Sequence, residues 1–250
     1  MEPDVIIIET PPDNYCYLII SKTDAAVIDP ADAEIVTDEI DKRKLNLRFI
    51  LATHHHSDHT AGINKLKKQT GALVYGGDKR ISSIDRIFKD GETFLLGDIR
   101  IEVLSMPGHT RHQVAYYIPE SGIVFTGDTL FGAGCGRIFE GSPDQLYHSL
   151  MRLSELPDNT LVYFGHEYTI ENLEFATLVD SQNQEVKKRL EQTRLLRSHN
   201  KVSVPSTIEL EKKTNPFLRV QTLAVRQYLG MVDRSPVAVF EELRKRKNSF

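Results

Sequence analysis

Short apolar runs, separated by glycine, proline and polar residues, fill the first two thirds of the chain. Such runs, rich in valine, isoleucine, leucine and aromatic residues, predict β-strands. The predicted strands are Val5–Ile8, Tyr15–Ile20, Ala25–Asp29, Phe49–Thr53, Leu73–Tyr75, Thr93–Leu96, Ile99–Ser105, Val114–Ile118, Ile123–Thr126 and Leu161–Phe164. Helical periodicity predicts helices at Ala33–Leu45, His59–Gln69 and Pro143–Glu155. This arrangement predicts two sheets flanked by helices, in the α/β (α+β) class.

The pattern changes after Tyr168, where helical periodicity replaces the short apolar runs. A capping box is predicted from Ser206 to Glu209. We therefore predict a first domain over residues 1–169 and an all-helical domain over residues 170–250. The helices predicted in the second domain include Ile170–Val179, Gln184–Arg197 and Val237–Lys245.

The composition restricts the classes of protein to which the chain can belong. With 250 residues, of which 40% are hydrophobic, it can bury a sizeable core. The net charge of −4 argues against a nucleic-acid partner. Two distant cysteines, Cys16 and Cys135, do not make a disulfide framework and suit a reducing compartment. The N-terminus is acidic and its apolar run is short, so we expect a cytoplasmic protein without a membrane segment.

The segment Thr53–His59 contains the strongest chemical signal in the chain. Its sequence, Thr-His-His-His-Ser-Asp-His, gathers imidazole and carboxylate groups, which are ligands for Zn²⁺ and other first-row cations. The segment joins a predicted strand to a predicted helix. In an extended turn, His54 and His56 point to the same side because alternate residues share a face. Asp58 and His59 then lie at the helix start, where they can serve a second nearby ion.

Three more potential ligands lie at the ends of predicted strands. His109, Asp128 and His166 each follow a glycine, which lets the backbone turn sharply or approach closely. With the histidine segment they supply five imidazoles and two carboxylates, enough for two metal ions with open positions. A carboxylate has two oxygens and can bridge two cations, and Asp128 is the predicted bridge. The predicted ligands are His54, His56, Asp58, His59, His109, Asp128 and His166.

This ligand pattern resembles the metallo-β-lactamase superfamily, which is marked by His-x-His-x-Asp-His followed by separate His, Asp and His ligands. Within that superfamily the chain is similar to glyoxalase II, the hydroxyacylglutathione hydrolases, over essentially its whole length. The segments that carry this closer resemblance are Thr126–Phe131, Gly134–Gly141, Gly165–Thr169, Asn215–Arg219 and Leu243–Phe250.

The resemblance implies an αββα metallo-β-lactamase sandwich with a C-terminal all-helical domain that binds substrate. It implies two divalent metal ions per chain, with zinc as the first choice and iron and manganese as alternatives. Asp58 and Asp128 are the residues implied in catalysis. Because Phe139 stands where other members carry tyrosine, it is expected to contribute packing and no hydroxyl contact. The implied substrate contacts are Arg137, Phe139, Tyr168, Asn172, Arg244 and Lys247.

The implied activity is hydrolysis of S-(2-hydroxyacyl)glutathione, chiefly S-D-lactoylglutathione, to D-lactate and glutathione, which detoxifies methylglyoxal. A thioester suits these ligands because its leaving thiolate has a low proton affinity and needs no strong general acid. We expect a monomer whose partner is this small molecule, with neither nucleic acid nor membrane. Other hydrolytic or sulfur-oxidising reactions on the same fold, and a binding protein on a decayed enzyme fold, remain as alternatives. Lactone hydrolysis stays open as the other hydrolytic reaction. The second ligand set, Asp58, His59 and His166, and the helical tail argue against oxidation of glutathione persulfide by a single iron. A decayed fold would lack ligands, and none is missing.

The remaining histidines and one cysteine are predicted to lie outside the ligand set. His55 is expected to pack beside the site, and His112 to support the site or face solvent. His148 and His199 are expected on the surface. Cys135 stands between two glycines, but no cysteine–histidine spacing supports a catalytic pair.

Overall fold

A computed structural model of the protein describes residues 3–250; Met1 and Glu2 of the acidic N-terminus lie outside the described residues. Every predicted strand is confirmed, with small shifts at the ends. Four additional strands have only two residues each, too few to leave a pattern in the sequence. The strands are β1 (Asp4–Thr10), β2 (Asn14–Ser21), β3 (Asp24–Ile28), β4 (Asn46–Ala52), β5 (Leu73–Gly76), β6 (Arg86–Ile87), β7 (Thr93–Leu96), β8 (Ile99–Ser105), β9 (Val114–Ile118), β10 (Ile123–Gly127), β11 (Leu130–Phe131), β12 (Gly134–Cys135), β13 (Leu161–Phe164) and β14 (Ser206–Thr207).

The helices also follow the predicted pattern, apart from one break and one additional short helix. Ser142 caps α4 as expected, and Gln145 closes the capping box through reciprocal hydrogen bonds. The α-helices in the part of the chain that the structure describes are α1 (Ala33–Arg43), α2 (Ser57–Thr60), α3 (Ile63–Thr70), α4 (Pro143–Ser154), α5 (Thr169–Val179), α6 (Gln184–Ser198), α7 (Ile208–Thr214), α8 (Leu223–Leu229) and α9 (Pro236–Asn248).

The predicted helix His59–Gln69 is wrong as a continuous element, because the chain breaks between α2 and α3. Gly62 lies at the break, and its amide donates to the carbonyl oxygen of Pro30 over 2.9 Å. A Cβ atom at this position would lie 2.6 Å from the same oxygen. Close docking of the backbone on the turn before α1 therefore requires glycine here and divides the helix.

The predicted capping box at Ser206 is also wrong. Thr207 is the N-cap of α7, and its hydroxyl accepts a hydrogen bond from the amide of Leu210 over 3.1 Å. Ser206 instead donates to the buried carboxylate of Glu211 over 2.5 Å. The serine is engaged by a tertiary contact, and the cap moves one residue along the chain.

The chain divides into two compact units, the first formed by residues 3–105 and 112–127. In this unit β1 to β6 form one sheet in chain order, antiparallel from β1 to β3 and parallel from β3 to β6. Strands β7, β8, β9 and β10 are antiparallel neighbours in a second sheet. Parallel strands that end at one edge place the segments after them close together, which is where the histidine segment begins.

Alternation along the strands gives the first sheet two different apolar faces. In β2, Cys16 and Leu18 belong to a cluster with Val36 and Ile40 of α1 and Leu66 of α3. Aromatic residues on the opposite face of the first sheet, in β2, β4 and β5, pack against the second sheet. Their ring contacts there include Tyr17 with Phe125 at 5.3 Å, Phe49 with Phe94 at 5.4 Å and Tyr75 with Phe94 at 5.5 Å.

The second unit comprises residues 106–111 and 128–250 and contains the helices from α4 onward. Its interior holds a buried ion pair, in which Arg189 Nη2 donates to Glu211 Oε1 over 2.6 Å. Glu211 Oε2 accepts from the amide of Ala133 over 2.8 Å, and Asn215 donates to the carbonyl of Gly134 over 2.9 Å. Helix α7 thereby fixes the turn between β11 and β12, shortly after Asp128.

Among residues 3–250, no helix combines the length and apolar character that crossing a bilayer requires. The domain boundary that the sequence pattern predicts between residues 169 and 170 stays a prediction.

Candidate metal centre

The histidine segment of the first unit continues from the end of β4 into α2. His54 is fully buried, and its Nε2 atom lies 3.1 Å from Nδ1 of His56. The rings are nearly perpendicular, with centroids 4.6 Å apart. Since residues 54 and 56 share a face of the extended turn, the two nitrogens converge as the sequence predicts.

Asp29, which no motif in the sequence singles out, orients two of these histidines. Its carboxylate accepts hydrogen bonds from the amide of Thr53 over 2.7 Å, the Thr53 hydroxyl over 2.6 Å and His59 Nδ1 over 3.1 Å. Because the Thr53 hydroxyl donates its one hydrogen to Asp29, its oxygen accepts a hydrogen bond from His54 Nδ1 over 3.0 Å. In these tautomers the Nε2 atoms of His54 and His59 carry the lone pairs that a metal ion would bind, the usual arrangement behind histidine ligands.

Asp58 lies in the first turn of α2 with its side chain 51% exposed. Its Oδ2 atom is 3.6 Å from Nε2 of His59. The buried side chain of Asn14 donates to the Asp58 carbonyl over 3.0 Å and to Oδ2 over 3.3 Å. Asn14 therefore holds the carboxylate on the side of His59, as a ligand of the same ion requires.

The second unit gathers the other three predicted ligands around one oxygen atom. Asp128 Oδ2 lies 3.5 Å from His109 Nε2 and 3.4 Å from His166 Nε2. His109 Nδ1 donates to the carbonyl of Arg137 over 2.7 Å, which directs its Nε2 toward Asp128. The ring of His166 stacks on Tyr168, with centroids 4.8 Å apart and planes within 3°. A carboxylate between two imidazoles is the geometry that a bridging ligand needs.

Two glycines allow close backbone approaches at the candidate ligands, Gly136 beside Asp128 and His109 and Gly127 beside Thr53, which orients His54. A Cβ atom on Gly136 would lie 2.1 Å from the Asp128 carbonyl oxygen and 3.0 Å from His109 Nδ1. Gly127 has a φ of +49°, and a Cβ there would lie 2.3 Å from the Thr53 hydroxyl. Larger residues at either position would displace the groups that orient the ligands.

The donors in both units suit a divalent first-row metal. Asp29, His54 and His59 place ligand-type atoms within 4.8 Å of one another. The predicted ligands offer only imidazole nitrogen and carboxylate oxygen, a set that zinc, iron and manganese all accept. Because hydrogen bonds already orient His54, His59 and His109, these residues fit a metal ion with little rearrangement.

Of the predicted substrate contacts, Arg137, Phe139 and Tyr168 lie beside the ligands of the second unit. Arg137 and Phe139 are exposed. The ring of Phe139 stands at 69° to that of His109, with centroids 5.2 Å apart. An exposed aromatic ring beside a ligand histidine suits packing against a bound molecule.

The other three predicted contacts are buried, whereas side chains on a solvated basic helix face would be exposed. Asn172 is buried and donates to the carbonyl of Gly132 over 3.1 Å. Arg244 is also buried and donates to the carbonyl of Cys135 over 2.8 Å. Lys247 is buried and forms an ion pair with Glu171. Their contacts with substrate stay predictions.

The other histidines and Cys135 stay outside the predicted ligand set, and the structure shows their surroundings. His112, His148 and His199 are exposed, and His55 Nδ1 lies 3.6 Å from Asp78 Oδ2. Burial raises the pKa of the Cys135 thiol to about 11, partly offset by the nearby Arg244 guanidinium. A thiol with this pKa carries little thiolate near neutral pH and is a poor nucleophile.

Comparison with known proteins agrees with this geometry. A family described as the metallo-beta-lactamase superfamily matches residues 10–166, and one described as hydroxyacylglutathione hydrolase C-terminus matches residues 167–250. A hydroxyacylglutathione hydrolase from Brucella ovis is 44% identical over 243 residues, 95% of each chain.

Solved structures show the same fold. ETHE1 from Myxococcus xanthus has a TM-score of 0.68 and 26% identity, covering 96% of this chain and 95% of its own. TTHA1623, solved in a di-iron-bound form, has a TM-score of 0.62 and 26% identity, covering 87% of this chain and all of its own. The fold class predicted from the sequence is thereby confirmed. The chain belongs to the hydroxyacylglutathione hydrolases, or glyoxalase II family, of the metallo-β-lactamase superfamily, and it is a hydrolase.

Proposed function

We propose that the protein hydrolyses S-(2-hydroxyacyl)glutathione thioesters, chiefly S-D-lactoylglutathione, to D-lactate and glutathione, and thereby serves methylglyoxal detoxification. The observation that carries this proposal is the 44% identity, over 95% of the chain, to proteins named hydroxyacylglutathione hydrolase. The family match over residues 167–250 supports the glutathione part of the substrate, since that family is named for the C-terminus of these enzymes.

We further propose that the seven predicted ligands hold two divalent metal ions, zinc first and iron or manganese as alternatives. The position of Asp128 between two imidazoles supports a bridging role, and the di-iron form of TTHA1623 supports a dinuclear site that accepts iron. Two such ions would polarise the thioester carbonyl and lower the pKa of a water molecule to about 7.

The protein's own residues then have distinct tasks. Asp29 and the Arg137 carbonyl keep His59 and His109 in the tautomers that present Nε2. Asp128 supplies the negative charge that offsets two cations. Asp58, half exposed beside His59, is the carboxylate assigned to proton transfer. The departing thiolate needs little help, because a cysteine-like thiol has a pKa of about 8.5.

We assign the glutathione moiety to the predicted contacts in the second unit. Arg137 and the pair Arg244 and Lys247 offer positive charge to its two carboxylates. Tyr168, stacked on His166, offers a hydroxyl, whereas Phe139 offers only an apolar ring. The contribution of Asn172 is indirect in this assignment, because its amide holds the turn between β11 and β12.

The test combines turnover with metal analysis of the same preparation. We expect hydrolysis of S-D-lactoylglutathione, followed by loss of the thioester absorbance, with close to two metal ions per chain. Oxygen uptake with glutathione persulfide serves as a control for a sulfur-oxidising reaction. A fully loaded protein that leaves the thioester intact contradicts the proposed activity, and one that holds a single ion after Zn²⁺ or Mn²⁺ is added contradicts the dinuclear site. We also propose that the protein is a cytoplasmic monomer. Size-exclusion chromatography with light scattering tests the monomeric state, and fractionation of cells that express the protein tests the compartment.

A further inference from the structure

Lys247, at the end of α9, is a buried cation whose charge faces an exposed acid. Its side chain is 5% exposed, whereas that of Glu171, which accepts a hydrogen bond from Nζ, is 61% exposed. The ammonium also lies 4.9 Å from the ring centroid of Phe250 and 5.9 Å from that of Phe175. The acid belongs to the first turn of α5, so the pair joins two helices that are far apart in sequence.

The neighbouring ion pairs on α9 have a different construction. Lys245 pairs with Glu241 over 2.7 Å and Arg246 pairs with Glu242 over 3.1 Å, each between exposed side chains one turn apart. Such pairs contribute little free energy and bind no particular ligand. In the pair of Lys247 the cation is fixed by burial, and the anion alone reaches solvent.

The charges around Lys247 are predominantly positive. Burial lowers the pKa of its ammonium, the contact with Glu171 raises it, and the charges of Arg244 and Arg137 lower it again. Arg244 is held by the Cys135 carbonyl over 2.8 Å and by the Asn248 side chain over 3.1 Å. Glu171 is therefore the carboxylate that directly balances this group of cations in the free protein.

We propose that Glu171 is a tethered counter-ion that occupies Lys247 in the free enzyme and competes with a carboxylate of the incoming glutathione moiety. This inference rests on the proposed function, which assigns that moiety to Lys247. A buried ammonium without an anion would be costly, so the free enzyme gains from the contact. A substrate carboxylate can replace the carboxylate of Glu171 at Lys247. The exposed Glu171 side chain then rotates outward and is hydrated by solvent. The competition lowers the affinity for anionic thioesters without touching the reacting bond.

The sharpest test is Glu171→Gln, which keeps the side-chain size and one acceptor oxygen and replaces the charged second oxygen with a neutral amide nitrogen. We expect it to bind S-methylglutathione, a thioether that cannot be hydrolysed, about two- to fivefold more tightly by titration calorimetry, the scale of a partly screened ion pair. The diethyl ester of that ligand, in which both carboxylates are neutral, should bind both proteins equally. For S-D-lactoylglutathione, KM should fall by the same factor and kcat should stay constant.

Two control variants separate this effect from general charge removal. Glu185→Gln removes the first-turn acid of α6, and Glu241→Gln removes the partner of exposed Lys245; neither should change the affinity. Unchanged or weaker binding of S-methylglutathione by Glu171→Gln overturns the counter-ion role, as does equal tightening of the diethyl ester. Absence of any binding to either protein overturns it as well. Failure of the wild-type protein to hydrolyse lactoylglutathione would contradict the proposed function instead, because the thioether titration does not depend on turnover.

Discussion

The two sets of candidate ligands are built in different ways. In the first unit, His54, His56, Asp58 and His59 come from one continuous segment and are oriented by a side chain, Asp29. In the second unit, residues 109, 128 and 166 come from three distant parts of the chain. His109 is oriented there by a backbone carbonyl. The histidines of the local motif are thus oriented by a side chain that can be substituted, whereas His109 of the dispersed set is oriented by the backbone.

The two ligand sets should therefore be sensitive to different substitutions. Side-chain substitution can remove the orienting group of the first set, but the Arg137 carbonyl remains whatever side chain stands at position 137. The second set depends instead on a single carboxylate, because Asp128 Oδ2 faces both of its histidines. Substitutions that act on one set and spare the other can test the comparison.

The largest effect is expected from Asp128→Asn, which keeps the side-chain volume and removes the charge of the proposed bridging ligand. We expect kcat to fall at least about a hundredfold and metal content to drop below one ion per chain, because in the proposed dinuclear site both ions would lose a ligand. Asp58→Asn, which alters a ligand of one ion, should retain about one. Elemental analysis after gel filtration, together with turnover, measures both. Near-normal activity of Asp128→Asn with full metal would mean that another group bridges.

The next effect concerns the orienting carboxylate, tested by Asp29→Asn. An amide has one acceptor oxygen, which cannot accept from the Thr53 amide, the Thr53 hydroxyl and His59 together. We expect metal affinity to fall about 10- to 100-fold, as for other groups that orient ligand histidines. Competition with a chromophoric chelator measures this affinity without any assay of turnover.

The matched control is Asp78→Asn, since Asp78 is equally buried and lies beside His55, the one histidine of the segment outside the ligand set. Its affinity for metal should stay within about twofold of wild type, on the scale of substitutions away from ligands. Equal losses in both variants would show that Asp29 acts only through stability.

The same contrast explains what the sequence could predict. The four candidate ligands after β4 can be selected directly from their spacing, and the glycine before each of His109, Asp128 and His166 marks a strand end. The role of Asp29 could not be predicted from the sequence, because a single aspartate after an apolar run is also an ordinary turn residue. Only the pairing of β3 with β4 brings it to Thr53.

Fold prediction failed where a tertiary contact overrides a local pattern. The apolar period from His59 to Gln69 suits one helix, yet the docking of Gly62 on the Pro30 carbonyl interrupts it. Ser206 carries a capping sequence, but the buried Glu211 takes its hydroxyl. Burial likewise gives Arg244 and Lys247 protein partners that their positions on a basic run do not indicate.

A smaller effect is expected in the basic run at the end of α9. Lys247→Ala should raise KM for lactoylglutathione with kcat nearly constant, a loss of about 1.5–3 kcal/mol of binding free energy, the range for hydrogen bonds to charged groups. Arg244→Ala should behave alike and also lower the melting temperature, because the Cys135 carbonyl loses its donor. Lys245→Ala and Arg246→Ala, whose side chains are exposed, should leave both quantities unchanged. Similar behaviour of all four variants, or a collapse of kcat, would exclude a binding role for the buried pair.

The smallest effect is expected in the alkylation rates of the two thiols, Cys16 in the first unit and Cys135 in the second. Burial and then the charge of Asp29 raise the pKa of Cys16, whereas the pKa of Cys135 rises with burial to about 11 and is restrained by Arg244. At pH 8 a thiol of that pKa is ionised in only about one molecule in a thousand, so iodoacetamide should modify the native protein slowly at both sites. Cys135 should react before Cys16 as the pH is raised toward 10, and both should react at once in denaturant. Peptide mass spectrometry over a time course measures the two rates. Rapid modification of Cys135 at neutral pH would show an activated thiol and return it to the candidate nucleophiles.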